Sequence, residues 1–521
     1  MHKANWSAKF ENKKVAMSKT KYPNTTTIEF NITDFSSGID TQSAENITDF
    51  DRAVSSYNFA YNDGVLTEGL GFEDITTPTT KDEGCSELSM HYSLDNDVET
   101  NWTKLSHFKE YSDLNGVRQD KIILVNSQNR VFYSRLITRT PIFTELTGFE
   151  FSEQPKMVNY TYNGHDCVLF FNDADGIYSW DNLNYPILHE NCPKVYDFCE
   201  YKQNVFAVPT GERLKIRVEK TNLLSWTQSL TQNSKVITLD SERGYINKLL
   251  SFNGYLFAIR DFGITRVVWY DNDSSYDVKH LLCSGSRIYA NTACICGNTG
   301  LVLCKDGIYE FDNVSAQKLN LRLNRLLKGV SNQNAVATFR NGIYYIACRL
   351  NFNDEQKIGC ENETGYKNNA LIAYDTKSKQ YSITRGVDIA HLSTMQYLSA
   401  DKLYVCFNGS NSNKIGQLTE NGLVFGSSQA KFWCSPLTDL GFSNKIKSVR
   451  EISLLSLYDV KLKVFSESES REFDIKGGNI ISRVPIRVKG KQIGISITST
   501  TQKSYVSNLK MIVNLIDNEF V

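Results

Sequence analysis

Seven histidines (2, 91, 107, 165, 189, 280 and 391) and twelve cysteines (85, 167, 192, 199, 283, 294, 296, 304, 348, 360, 406 and 434) are the side chains of this 521-residue chain best suited to bind metal or attack a substrate. Their spacing provides no partner for either task. No histidine falls in a His-x-x-x-His or Glu-x-x-His pair, no Cys-x-x-Cys occurs, and Cys294-x-Cys296 lacks the second ligand pair that a zinc site needs. Most cysteines lie inside apolar runs, as in Cys167-Val-Leu-Phe-Phe and Tyr404-Val-Cys406-Phe, where a thiol packs as a small core residue. Reduced, structural cysteines of that kind fit assembly in a cytosol. His165-Asp166, beside the Asn163-Gly164 turn, reads as a polar turn pair rather than a catalytic dyad. Asn172 to Gly176 and Asp271 to Asp273 are oxygen-rich but lack the bidentate Glu that completes a calcium loop, so turns are expected. Nucleophile-elbow, Walker and dinucleotide motifs are absent. Trp226 and Trp433 have rings that could stack on a ligand, although most such residues belong to a core. The expectation is no catalytic residue, no cofactor and no metal.

The elements that would position any site are strands. Residues 244–270 read as strand Ile246 to Phe252, an Asn253-Gly254 turn, strand Tyr255 to Arg260, a second turn, and strand Ile264 to Tyr270. The motif recurs at Ile122 to Ser134, Asp166 to Trp180, Asn204 to Val218, Gly300 to Phe311, Gly342 to Tyr374 and Lys402 to Leu418. The segment from Asn351 to Asn369 reads as an inserted surface loop within the sixth copy. Seven hairpins of short strands with Gly turns at this period predict a β-propeller of seven or six blades rather than a row of sandwich domains. After Gly426 the alternation in Val460 to Phe465, Val484 to Val488 and Ile493 to Ile497 predicts a small β-sandwich. The expected fold is therefore all-β. An extended arm spans 1–33, an N-terminal segment 34–119, the propeller 120–425 and the sandwich 426–521. In the N-terminal segment Asp49 is placed to cap a short helical turn reaching Asn58, and Asn62-Asp63-Gly64 marks a hairpin turn.

The chain has no apolar run long enough to span a membrane and no signal-like opening. Net charge is -1, unevenly spread: residues 1–22 carry six Lys and one Glu, 23–100 two basic and sixteen acidic residues, and 431–521 fourteen basic and nine acidic ones. A basic arm ahead of an acidic segment suggests that the arm reaches a neighbouring subunit or an acidic partner. The absence of a strongly basic balance argues against a duplex-binding protein.

Phe35 to Ile75, with Gly38-Ile39-Asp40, Ala53, Asn58, the Asp63-Gly64 turn, Leu66 and Gly71, resembles the opening of tailed-bacteriophage virion proteins of the tail-nozzle class. Ser225-Trp226-Thr227, Gly244 to Leu249, Leu256 to Ile259 and Gly263-Ile264 look like blades of that class. Asp439 to Phe442, Lys447 and Ile452 look like the start of its strand-rich end. No segment matches a channel gate, which leaves the nozzle and other tail components both open. The resemblance implies a structural virion protein without catalytic residues, a homo-oligomer of six copies in a ring below the portal and adaptor. DNA would pass through it during ejection without specific binding. It also implies assembly in the host cytoplasm, other tail proteins as partners, and no small-molecule substrate. Alternatives are a glycan-binding propeller adhesin and a polysaccharide hydrolase, whose separated carboxylates would escape any test by spacing.

Overall fold

The computed structural model describes residues 6–10, 13–19, 25–41, 48–76, 101–111, 118–135, 143–162, 164–190, 192–219, 235–270, 275–352, 363–397 and 400–517. Seven sheets of antiparallel strands follow one another along the chain, and each shares an apolar cluster with the next, the last with the first. Named by first and outermost strands, blade 1 runs from Trp102–Tyr111 to Thr144–Glu145, and blade 2 from Lys156–Tyr162 to Ile187–Leu188. Blade 3 runs from Val195–Tyr201 to Lys235–Thr238, blade 4 from Ile246–Phe252 to Ser275–Cys283, and blade 5 from Cys294–Cys296 to Ala316–Lys318. Blade 6 runs from Val336–Arg340 to Tyr381–Arg385. The second strand of each blade is buried on both faces, as in Val168 to Phe171 and Leu301 to Cys304, which is why it reads as an unbroken apolar run. The fold is a seven-bladed β-propeller.

Blade 7 takes three strands from its own stretch, Ile389–Tyr397, Ala400–Phe407 and Ile415–Thr419, and the fourth from the N-terminal segment, Gly71–Asp74. Blade 1 begins after that borrowed strand, so the ring is latched by the chain crossing from its last blade to its first. The joint is filled by Trp102, Leu105, Ile122 and Leu124 of blade 1 against Met395, Tyr404, Cys406 and Ile415 of blade 7.

The second module is a sandwich built from both ends of the chain. Its larger sheet runs in the order Trp6–Phe10, Lys13–Lys19, Thr25–Ile32, Tyr505–Asp517, Lys445–Ser456, Ser482–Gly490, and the hairpin Phe59–Asn62 with Val65–Glu68 also pairs with Tyr505–Asp517. The smaller sheet runs Ser55–Tyr57, Lys431–Cys434, Ile493–Ser499, Val460–Ser466, Ser470–Ile475. Val449, Ile452 and Val513 of the first sheet and Leu462, Val464 and Ile495 of the second share one apolar cluster, which continues into blades 5 and 6 through Leu303, Leu323, Tyr344 and Ile372.

Several boundaries shift from those read in the sequence. The 1–33 arm contributes three strands to the sandwich rather than remaining extended. The 34–119 segment divides among the sandwich, blade 7 and blade 1, so propeller strands begin at Gly71 and Trp102 rather than at 120. Asp49 accepts the Arg52 N–H in a turn, and the chain then enters Ser55–Tyr57, so no helical turn reaches Asn58. The hairpin turn is as expected, with Asp63 and Gly64 both at positive φ (50° and 79°), the pattern of a tight two-residue connection.

Asn58 is the joint between modules. Its backbone is left-handed (φ 61°) and it is 4% exposed. Its N–H donates to Ile383 O (2.8 Å) on the outer edge of blade 6, and its carbonyl accepts the Gly69 N–H (3.0 Å). Its side-chain Oδ1 accepts the Arg385 N–H and its Nδ2 donates to Ala430 O, each at 2.8 Å. Arg385 itself is buried, with its guanidinium on Glu363 (2.9 Å) and its cation over the rings of Phe352 and Tyr57 at 4.1 and 4.8 Å. Both bases of the inserted loop are thereby tied to blade 6, while residues 353–362 lie outside those described.

Candidate functional site

The first strands of the blades carry polar and charged side chains at equivalent places near their start. Four of the seven first strands carry a bulge just inside their start, between Trp102 and Lys104, Val195 and Asp197, Ile246 and Lys248, and Ile389 and His391. A bulge adds one residue and re-aims the side chains that follow. Lys104, Asp197, Lys248 and His391 thus stand at equivalent places, and Lys156 stands at the corresponding place in blade 2. Their cross-strand partners Val125, Phe171, Val208, Ile259 and Cys406 belong to the apolar joints between each blade and the next. Directly opposed residues share a face of the sheet, so these polar side chains face the following blade.

Their bonds follow that geometry. Lys104 Nζ donates to Pro155 O (3.1 Å) and Gln154 O (3.3 Å) at the start of blade 2. Lys156 Nζ donates to Tyr196 O (2.7 Å) and approaches Asp197 Oδ1 (3.4 Å) in blade 3. Asp197 Oδ2 accepts the Leu249 N–H of blade 4 at 2.7 Å. Lys248 Nζ donates to Ala293 O, next to blade 5, at 2.8 Å. His391 closes the series beside blade 1, and its Nδ1 is buried without a hydrogen-bond partner. Burial and then the nearby Lys156 bring the Lys104 ammonium down to about 8. Burial, reinforced by Lys104 and Lys248, holds the His391 imidazole neutral, at about 3. The polar groups at the axis act as blade-to-blade staples. Asp197→Ala should lower unfolding stability by about 1–3 kcal/mol, because the Leu249 N–H loses its acceptor inside the joint. Asp197→Asn, which keeps an acceptor oxygen, should recover most of it, and urea denaturation of the two variants checks this.

A second feature is a cleft of about 500 Å³ between the sandwich and blades 6 and 7, lined by Tyr61, Tyr345, Tyr381, Tyr458 and Tyr505 together with Glu68, Asp375 and Glu420. Two of these carboxylates already serve the fold: Glu68 accepts the Ser504 N–H (3.2 Å), and Asp375 accepts from Lys377 N–H and the Ser378 hydroxyl, both at 2.8 Å.

The residues singled out in the sequence are dispersed. His165 and Asp166 are exposed at the start of a strand, and Asp166 accepts a hydrogen bond from Thr161. Asn172 to Gly176 is a turn in which Asn172 Oδ1 accepts the N–H groups of Ala174 and Asp175, while Asp175 holds Ser152 of the preceding loop. Trp433 is fully buried, edge-on to Phe35 at 5.2 Å, and offers no face to a ligand. Trp226 and Asp271 to Asp273 lie outside the described residues. Among the described residues ten cysteines are free thiols, and burial pushes Cys348 up to about 12. Among the described residues no three His, Cys, Asp or Glu side chains form a metal-binding group, and no helix is long and apolar enough to cross a membrane. The staple residues went unnoticed in the sequence, although each falls within the first three residues of a strand that opens a blade.

No protein-family model matches the chain, and no curated protein is significantly similar to it. Among solved structures it is similar to the crystal structure of Chaetomium thermophilum Raptor, at 11% identity and a TM-score of 0.39, over 62% of this chain and 28% of that one. The chain thus spans little more than a quarter of that protein, and a likeness of this degree carries no functional argument.

Proposed function

We propose that this chain is a structural subunit of a bacteriophage tail, one copy of a ring-shaped nozzle or conduit below the portal and adaptor. The observation that carries the reading is the state of the propeller axis. Lys104, Lys156, Asp197 and Lys248, charged groups on the first strands of their blades, are each bonded to the next blade, which suits a rigid scaffold. The resemblance of residues 35–515 to nozzle proteins supplies the assembly. The bore of such a ring is lined by neutral and acidic side chains, so that the duplex passes without the salt-dependent hold that basic side chains give.

Mass photometry of the purified chain, with cryo-electron microscopy of virions, tests the reading. A ring-sized species and density below the portal are the expected results. A strictly monomeric protein absent from virions overturns it, as does tight duplex binding with a steep salt dependence. The tyrosine-lined cleft favours one second reading, a glycan-binding surface. Saturable binding on a glycan array, lost on Tyr458→Ala, would select that reading instead.

A further inference from the structure

Two stretches far apart in the sequence expose side chains that a lone subunit would be expected to cover. On blade 2, Leu183 (82% exposed), Tyr185 (80%), Ile187 and Leu188 line the rim. Ile187–Leu188 is the last strand of its sheet, so one side of its backbone pairs with no described strand. On the sandwich, Ile480 (82%) and Ile481 lead into Ser482–Gly490, the last strand of the larger sheet, whose outer edge also pairs with no described strand and is met only near its end by the Glu469 carboxylate on the Lys489 N–H. Open edges beside exposed apolar residues are the surfaces that accept another strand.

The charge around the two is opposite in balance, although Lys194 Nζ reaches Ala174 O on the rim, and Glu467 and Glu469 accept the main-chain N–H groups of Lys491 and Lys489 on the sandwich. Residues 173–193 hold four carboxylates, at 173, 175, 181 and 190, and no Lys or Arg. Residues 476–491 hold five basic side chains and no Asp or Glu. Along the edge strand Arg483, Arg487 and Lys489 are all exposed, so the positive charge lies on one face. The sandwich joins the outer edge of blade 6, through Asn58 and Ile383, and blade 2 stands three blades further round a ring of seven. The sandwich is therefore seated on blades well round the ring from blade 2, and neither patch matches itself in charge.

We infer that the blade 2 rim is a docking surface for a second copy of this chain, and that the Ile480–Ile481 loop with its basic edge strand is what docks there. Such a contact is heterologous: each added copy leaves one rim and one loop free, so assembly continues until the rotation closes a ring. The acidic rim and basic strand orient the encounter, and the apolar residues at its centre hold it. The contact deepens the ring reading and rests on it only for closure.

The test uses the full-length chain in mass photometry and sedimentation velocity. One double variant, Leu183→Asp with Tyr185→Ser, removes the rim; another, Ile480→Asp with Ile481→Ser, removes the loop. All four positions are exposed, and circular dichroism confirms that both variants fold. Wild-type chain is expected to form higher oligomers, and each variant alone to stay monomeric. An equal mixture of the two should yield dimers that grow no further, because one intact rim meets one intact loop. Arg483→Glu with Arg487→Glu should weaken assembly at least tenfold, and Asp173→Lys with Glu190→Lys in the same chain should restore it. A wild-type monomer at every concentration overturns the inference, as does a mixture without dimers. Oligomers that survive both variants, in a protein that virions contain, would remove this contact and leave the tail reading standing. Capped dimers from a protein that no virion contains would do the reverse.

Discussion

Replacing Asn58 by alanine is expected to cost about 4 kcal/mol and to loosen the sandwich from the propeller before either module melts. Two main-chain groups on different modules, the buried Arg385 N–H and the half-buried Ala430 O, lose their only described side-chain partner at once. Each orphaned group costs roughly 1–3 kcal/mol. Alanine at φ 61° adds the strain of a left-handed backbone, about 1–2 kcal/mol. Asn58→Gly removes that strain but not the lost bonds, so it should fall about 1 kcal/mol short of the alanine effect. Denaturant unfolding followed through the Trp433 environment, alongside a probe on blade 3, measures both the size and the order of events. A loss below about 1 kcal/mol, or simultaneous loss of both signals, would show that the joint rests on apolar contact alone.

Phe72→Ala should cost about 3–5 kcal/mol, the usual penalty for deleting a buried aromatic ring. The ring is 1% exposed and packs edge-on against Phe407 at 5.2 Å, among Leu403, Val405, Leu418 and Tyr345. It also sits on the four-residue strand that closes blade 7, so the damage falls on the latch of the whole ring. Gly71→Val attacks the same strand by another route, since a Cβ there would lie 2.3 Å from Leu423 O, and the strand cannot seat without displacing backbone. Limited proteolysis should then release the N-terminal segment from both variants while the wild type resists. Equal resistance in all three proteins would mean that the latch is dispensable.

The sequence declared the blades more plainly than it declared the connections between modules. Val168 to Phe171 and Tyr344 to Cys348 are buried on both faces, and that burial writes itself locally as apolar runs ended by Gly and Asn turns. First strands such as Lys156–Tyr162 carry a mixed pattern, because they mix blade-facing and axis-facing side chains, and outer strands such as Ile187–Leu188 are only two residues long. The closing strand Gly71–Asp74 pairs with residues near 417, a partner that leaves no local mark. Asn58 looked like the end of a helical turn because its role depends on Ile383, Arg385 and Ala430, more than 300 residues away. The axis staples needed the bulges to be seen, and a bulge depends on the register of two strands rather than on composition.

Strand Thr25–Ile32 pairs with Tyr505–Asp517, and Gly71–Asp74 pairs with Ile415–Thr419, so both early strands wait for partners made several hundred residues later. Loop closure over such separations is slow, and the early strands keep open edges until it happens. A ribosome that stops at residue 400 releases a chain with no latch on its ring and no mate for its first strands. Such a product has the exposed edges and apolar faces that proteases and chaperones recognise, whereas a chain translated through residue 517 can hide them. The interleaving of early and late strands therefore works as a check on completeness, by which both modules close only after residues 415–517 have been made.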